Sequence, residues 1–276
     1  MLKETGEYTI REYTREDIPA LTDLWVDVFK DKREFVEEFF RLLPNMGSCL
    51  LMEDKTGICA EASVITGFDI LSPGVAEGPI VGYIYACCVR ADLRGKGYGT
   101  EICTAAYELA VEREADIVCT LPSDEGLYSF YSNVLNFDCA LRRKLIEVAA
   151  SPSEMTMKLT ATEYSMFRSS MLSGRSFLHP SFFTMEFVKS LCETYGGGLY
   201  ASESGICTAQ VEGEACVIHE LICRDEAAAP RIAASVAHTL GCSRAEFYLP
   251  STDGEPYIAA EKGKISPDTF WGTAFE

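Results

Sequence analysis

The chain has only three histidines, His179, His219 and His238, and none of its twelve cysteines stands in a C-x-x-C pair. A Cys/His zinc site therefore has no spacing to support it, and no metal is expected. The cysteines are scattered through apolar segments. Buried reduced thiols in a cytoplasmic protein are a simpler account of them than a disulfide framework. No apolar run reaches 18 residues, so no transmembrane helix is expected. The opening residues, Met1-Leu2-Lys3-Glu4-Thr5-Gly6-Glu7-Tyr8, lack the apolar core of a secretory leader. Basic residues are also scarce, 24 Lys and Arg against 42 Asp and Glu, for a formal net charge of -18. That balance argues against nucleic acid and against an anionic membrane surface, and favours encounter with a cation such as a protonated amine.

What is present is a soluble globular composition, 47% hydrophobic and 24% charged, over 276 residues. That length suits one large or two ordinary domains. The most informative stretch is 80–113. Residues 80–89 are a near-continuous apolar run rich in β-branched and aromatic side chains, which reads as a buried strand. A polar turn at 90–92 leads to Gly95, Gly97 and Gly99. Behind them Ile102, Ala105, Ala106, Leu109 and Ala110 fall on one face of a helix. A helix N-terminus offers unpaired N–H groups and positive partial charge. Glycines let the backbone close around an anion, and Arg94 and Lys96 add full charges. The stretch reads as a phosphate cradle. The G-x-G-x-x-G dinucleotide pattern fails because Thr100 stands where a glycine is required, and the P-loop pattern is absent.

The spacing that does fit is R-x-x-G-x-G over Arg94, Gly97 and Gly99, preceded by Cys88-Val89-Arg90-Ala91. Here the chain resembles the GNAT N-acetyltransferase superfamily, whose acyl-CoA signature is [Q/R]-x-x-G-x-[G/A] between a central strand and a helix. The expected order over residues 5–149 agrees: strand 8–13, helices 18–29 and 32–43, and strands 48–53, 58–66 and 80–89. A helix at 100–113, a strand at 116–121, a helix opened by Ser123-Asp124-Glu125 and a strand at 141–148 complete it. Residues 68–78 read as a loop. A Thr14/Asp17 capping box precedes the first helix.

The resemblance implies acetyl-CoA as co-substrate, held by Cys87, Cys88, Val89, Arg94, Gly95, Lys96, Gly97, Tyr98, Gly99 and Thr100. It also implies direct attack of a primary amine on the thioester, with a small molecule or peptide as acceptor. A backbone N–H near Cys88 or Val89, at a splay or bulge of the strand, would face the oxyanion. The family's tyrosine motif F-Y-x-K-x-G-F is matched by Phe130-Tyr131-Ser132-Asn133-Val134-Leu135-Asn136-Phe137, with one extra residue and Asn136 for the glycine. Tyr131 is the first candidate for the acid and Tyr128, one turn earlier, the second. Glu61, Asp69 and Glu125 are candidate bases by position only. An acyl-cysteine route through Cys87-Cys88 lacks a histidine at motif distance, which leaves buried strand thiols as the better account.

The second half echoes the first. Leu50-Leu51-Met52-Glu53-Asp54-Lys55-Thr56-Gly57-Ile58-Cys59-Ala60 is answered by Leu199-Tyr200-Ala201-Ser202-Glu203-Ser204-Gly205-Ile206-Cys207-Thr208-Ala209, and Leu-Pro-Ser recurs at 121–123 and 249–251. The cradle does not recur: Glu226-Ala227-Ala228-Ala229-Pro230 replaces it. The expected architecture is α/β (α+β), with two GNAT-like lobes, each a mixed, mostly antiparallel sheet flanked by helices. An acyl-CoA-binding N-acetyltransferase domain at 1–150 is joined to a degenerate GNAT-like domain at 154–276. The lobes are expected to dock, with the acceptor groove and acidic residues at their interface. Residues 253–256 read as a loop and 269–276 as a packed strand. The rival reading is a non-catalytic acyl-CoA sensor or scaffold, and the oligomeric state stays open.

Overall fold

The structure, a computed structural model, describes residues 3–272. The first half runs β1 (Lys3–Glu4), β2 (Thr9–Glu12), α1 (Ile18–Phe29), α2 (Arg33–Leu42), β3 (Gly47–Asp54) and β4 (Gly57–Leu71). It continues with β5 (Ile80–Val89), α3 (Tyr98–Glu112), β6 (Ile117–Thr120), α4 (Glu125–Leu135) and β7 (Phe137–Ala149). The second half runs β8 (Thr156–Leu159), α5 (Ala161–Leu172), β9 (Phe177–Pro180), α6 (Phe182–Thr194), β10 (Gly198–Ser202) and β11 (Gly205–Glu212). It ends with β12 (Ala215–Cys223), α7 (Ala229–Thr239), β13 (Arg244–Ser251) and β14 (Glu255–Glu261). Among the described residues no helix is long and apolar enough to cross a membrane. All twelve cysteines are free thiols.

One mixed sheet carries both halves, in the order β1-β2-β3-β4-β5-β6-β14-β7-β13-β12-β11-β10-β8, with β9 added beside β4. The described strand pairs are antiparallel except β5–β6 and β12–β13. Helices cover the faces, and the expected mixed, mostly antiparallel α/β class is the class observed; in place of one sheet for each lobe, a single sheet runs through both halves. The apolar run of β5 is buried from both sides, by the α3 face (Ile102, Ala106, Leu109) on one and by Trp25, Phe35 and Phe39 of α1 and α2 on the other. Such two-faced burial is why β5 shows no alternation.

The halves are joined more deeply than a three-residue linker suggests. β14 inserts between β6 and β7, pairing Ala260 with Cys119 and Ala259 with Cys139. The sheet of the first lobe is therefore completed by the far end of the chain. β7 in turn is shared, since its other edge pairs with β13 from Arg244↔Ala149 to Ser251↔Arg142. Phe187 of α6 stacks on Phe35, ring centroids 5.6 Å apart, and meets Phe39 edge-on.

Three expectations need correction. The loop read at 68–78 begins as strand: β4 runs on to Leu71 because β9 pairs with it from Phe68↔Pro180 to Leu71↔Phe177. The loop at 253–256 is already strand from Glu255, held by β7. The strand read at 269–276 is a single bridge, Phe270 to Phe177; the rest of that run, from 273 on, lies outside the described residues.

Candidate active site

The parallel pair β5–β6 holds from Val81↔Ile117 to Ile84↔Thr120 and then separates. Pro122, two residues past β6, lacks the N–H that would extend the ladder. β5 continues alone on that side. On its other side the register with β4 shifts between Ser63↔Tyr85 and Glu61↔Cys88, so Ala86 and Cys87 together face Ala62. This is a β-bulge, and Ala86 takes a left-handed φ of 50° to make it. Such a backbone is strained for an L-residue, at about 1–2 kcal/mol, and a site that holds it does so through the surrounding packing. The bulge was expected near Cys88 and sits at Ala86–Cys87.

The fork opens into a cavity of about 350 Å³. Tyr85, Ala86 and Cys87 form one wall and Leu121, Pro122 and Ser123 the other. Tyr131 of α4 and Arg143 of β7 reach it from behind, and Trp25, Phe29 and Asp31 close it from the α1 end. Asp31 is the carboxylate that sequence reasoning missed. It accepts hydrogen bonds from Trp25 Nε1–H to Oδ2 and from Tyr195 O–H to Oδ1, both 2.9 Å. Tyr195 comes from the second half, so both halves of the chain hold this acid. Its only signal in the sequence is position, in the break between the first two helices.

Between the end of β5 and α3 stands the glycine loop. Gly95 and Gly97 have φ of 76° and 89°, values that favour glycine. Gly97 is the N-cap of α3 with no side chain capping the first turn. A Cβ added at either glycine would meet no protein atom within 4 Å, so the loop's outer face is open. Arg94 donates from Nε to the Val89 carbonyl, 3.2 Å, which turns the loop back onto the end of β5. Lys96 and Thr100 are exposed, and Gly99 packs against Val89 and Phe130. Tyr98 lies edge-on to Tyr8. Cys88 is buried with its thiol on Glu61 Oε1, 3.6 Å, whereas Cys87 lines the cavity. The expected cradle residues are thus brought together at one end of β5, except that Cys88 turns away. Among the described residues no group of three or more His, Cys, Asp or Glu side chains could hold a metal ion.

The two tyrosines separate. Tyr131 lies on the cavity wall, 6% exposed, and burial first, then the nearby Cys87 and Cys103 thiols, holds its phenol proton well above the usual tyrosine range. Tyr128 points elsewhere and donates from its hydroxyl to the Tyr257 carbonyl, 3.1 Å. Asn136, which stands where the family motif has glycine, adopts φ 57° as the C-cap of α4, a conformation asparagine tolerates better than other non-glycine residues. The three positional candidates for a base do not line the cavity. Glu61 is buried beside Cys88, Asp69 sits on the β4–β9 seam opposite His179, and Glu125 is exposed in the first turn of α4.

Residues 9–133 match the family model of the acetyltransferase (GNAT) domain. That stretch is similar to a GNAT domain. Solved structures extend the likeness in fold over nine-tenths of the chain or more. A GCN5-related N-acetyltransferase from Kribbella flavida superposes with a TM-score of 0.66 at 13% identity, covering 92% of this chain and 70% of that one. A putative acetyltransferase from Pyrococcus horikoshii gives 0.63 at 17%, covering 99% and 96%. Eis1 from Mycobacterium abscessus gives 0.60 at 10%, covering 91% and 72%. At these identities the likeness is one of fold. No curated protein matches the chain in sequence.

Proposed function

We propose that the protein transfers an acetyl group from acetyl-CoA to a primary amine, by direct attack, in the fork between β5 and β6. The observation that carries this is the bulged, one-sided end of β5, with Tyr131 on the cavity wall and an open glycine loop following the strand. Acetyl-CoA would supply the activated thioester. The α3 N-terminus, Arg94 and Lys96 would hold its phosphates, where the N–H groups and positive partial charge of a helix end favour an anion. The bulge at Ala86 and Cys87 frees backbone N–H groups for the thioester oxygen as it gathers charge. As the new C–N bond forms and the C–S bond breaks, Tyr131 would give its proton to the leaving sulfur. Asp31, flanked by Trp25 and Phe29, would hold the ammonium form of the acceptor and receive its proton directly or through water.

The chain divides, in the same proposal, into an acyl-CoA-binding lobe at 1–150 and a degenerate copy at 154–276 that binds no CoA. The copy keeps the strand–helix order but begins α7 with Ala229-Pro230, where the first lobe has its glycines. Calorimetric titration with CoA should give one site per chain, weakened when Gly97 is replaced by valine. Two equivalent sites, or no release of CoA thiol with any amine of a broad panel, would sink the proposal.

A further inference from the structure

The chain turns sharply between α1 and α2. Lys30 ends α1 in the left-handed region, φ 64°, with its N–H on the Val26 carbonyl. Asp31 follows directly and comes back to Trp25, whose indole N–H it accepts. It takes its two hydrogen bonds one on each oxygen, from Trp25 and from Tyr195. Both donors are neutral. A carboxylate has about four acceptor positions, so these two bonds leave room for a further donor and do not cancel the charge. The adjacent Lys32 is turned away: its Nζ donates to the Thr194 carbonyl, 2.7 Å, and lies 5.0 Å from the centre of the Tyr195 ring. Burial first and the Asp31 carboxylate second push the Tyr195 phenol up to about 12, which keeps it a donor.

Around this carboxylate the cavity is flat and apolar. Trp25 meets Phe29 edge-on, ring centroids 5.9 Å apart, and Tyr85 edge-on at 5.4 Å. Tyr85 is the residue before the bulge. Burial first, then the Asp31 charge, holds its phenol proton well above the usual range, so the carboxylate stands close to that end of β5. Phe29 lines the cavity with 41% of its surface exposed, an apolar side chain left at the edge to solvent. Among the described residues of the wall, Asp31 is the one acid. The other charged wall residue, Arg143, is a cation paired with Glu255 at 3.2 Å and offers an ammonium nothing. Acids from both halves were expected around the acceptor; the second half instead contributes a donor to the single acid of the first. At about 350 Å³ the space is at the small end of ligand pockets.

We propose that the acceptor is a small primary amine with a single positive charge on an aromatic or apolar body. Asp31 holds its ammonium, Trp25, Phe29 and Tyr85 face its body, and Tyr195 of the second half is the positioning residue for Asp31. This names the substrate class of the transferase proposed above and rests on that reading. An ammonium beside aromatic rings gains from their electron-rich faces, and an apolar body gains by leaving water. A second ammonium would have to leave water without a partner. The second half then serves the reaction through one hydroxyl group.

The test uses the full chain, acetyl-CoA and two pairs of amines. Phenethylamine against ethylamine reports the apolar body. Pentylamine against cadaverine, the same carbon chain with a second ammonium, reports the single charge. The first member of each pair is expected to have kcat/KM roughly tenfold above its partner, the scale of one buried ring or one unpaired charge. Phe29→Ala, at a part-exposed position, should lower the first ratio severalfold. Tyr195→Phe keeps the ring and loses the hydroxyl. It should raise KM for phenethylamine severalfold and leave KM for acetyl-CoA unmoved, a split that lost stability alone would not produce. Asp31→Asn should raise the same KM further, and it decides the matter with the wild-type ratios if Tyr195→Phe does not fold. A ratio at or below one in either pair, or KM for phenethylamine unchanged in folded Tyr195→Phe or Asp31→Asn, overturns the inference. Calorimetry with phenethylamine and cadaverine in the presence of CoA separates it from the reading beneath it. Asp31-dependent binding of phenethylamine over cadaverine, without acetylation of any amine, would keep the subsite and remove the transferase. Turnover in which ethylamine or cadaverine equals its partner would keep the transferase and remove the subsite.

Discussion

At the scale of single residues, burial decides which groups can do chemistry. Tyr131 keeps its proton beyond pH 10 because its phenolate would be desolvated and would face the Cys87 and Cys103 thiols. Tyr131→Phe is expected to lower kcat by roughly 10²–10⁴-fold, with the KM for acetyl-CoA moved far less. No falling alkaline limb should appear up to pH 10. Tyr128→Phe should instead cost about 1 kcal/mol of stability, for its bond to the Tyr257 carbonyl, and little rate. The reverse pattern in steady-state kinetics would mean the wrong tyrosine. Glu61 makes a separate prediction. Its carboxyl is held well above the usual range, burial being the first cause. A raised acid in the fold contributes stability that is present below its unfolded value of about 4.5 and is lost as pH rises toward the folded value. Glu61→Gln should therefore unfold at a higher temperature than the wild type at pH 8 and show a smaller difference at pH 4.5. Equal melting at both pH values would discard this. Neither Asp31 nor the isolation of Glu61 was legible in the sequence, because both depend on what folds over them: Trp25 and Tyr195 in one case, Cys88 in the other.

At the scale of elements, what is local was legible. The strand–glycine loop–helix unit at 80–112 could be read because each part signals itself within a few residues, by an apolar run, by Gly95 and Gly97, and by the α3 periodicity. The Thr14–Asp17 box was also local and is formed, with Asp17 accepting from the Thr14 N–H at 2.7 Å. The end of α4 was harder, since the family pattern has glycine where Asn136 stands. Its φ of 57° explains why asparagine is there. Asn136→Gly should be close to neutral in thermal stability, and Asn136→Ala should cost about 1 kcal/mol. Alanine melting at the wild-type temperature would rule out the strained cap. What failed at this scale was the extension of β4 to Leu71 and the existence of β14. Residues 68–71 and 255–261 become strands because of partners more than 70 positions away, and no turn or period near them announces those partners.

At the scale of the whole molecule, the two halves share a site wall as well as a sheet: Tyr195 of the second half holds Asp31 of the first. A chain ending at Ala150 would keep the cradle but lose β14, leaving the facing edges of β6 and β7 without the strand between them. We expect such a chain to be aggregated or unfolded by circular dichroism and size-exclusion chromatography, because unpaired inner strands recruit other chains. A folded monomer with full activity would show that the second lobe plays no part. The inserted strand also sets a clock on synthesis. Cys119 and Ala260, neighbours in the sheet, lie 141 positions apart (260 less 119). A ribosome adds about 5–20 residues per second, so the newborn β6 waits roughly 7–30 s for its partner. During that wait its open edge must be shielded, because an unpaired inner strand is a template for other chains.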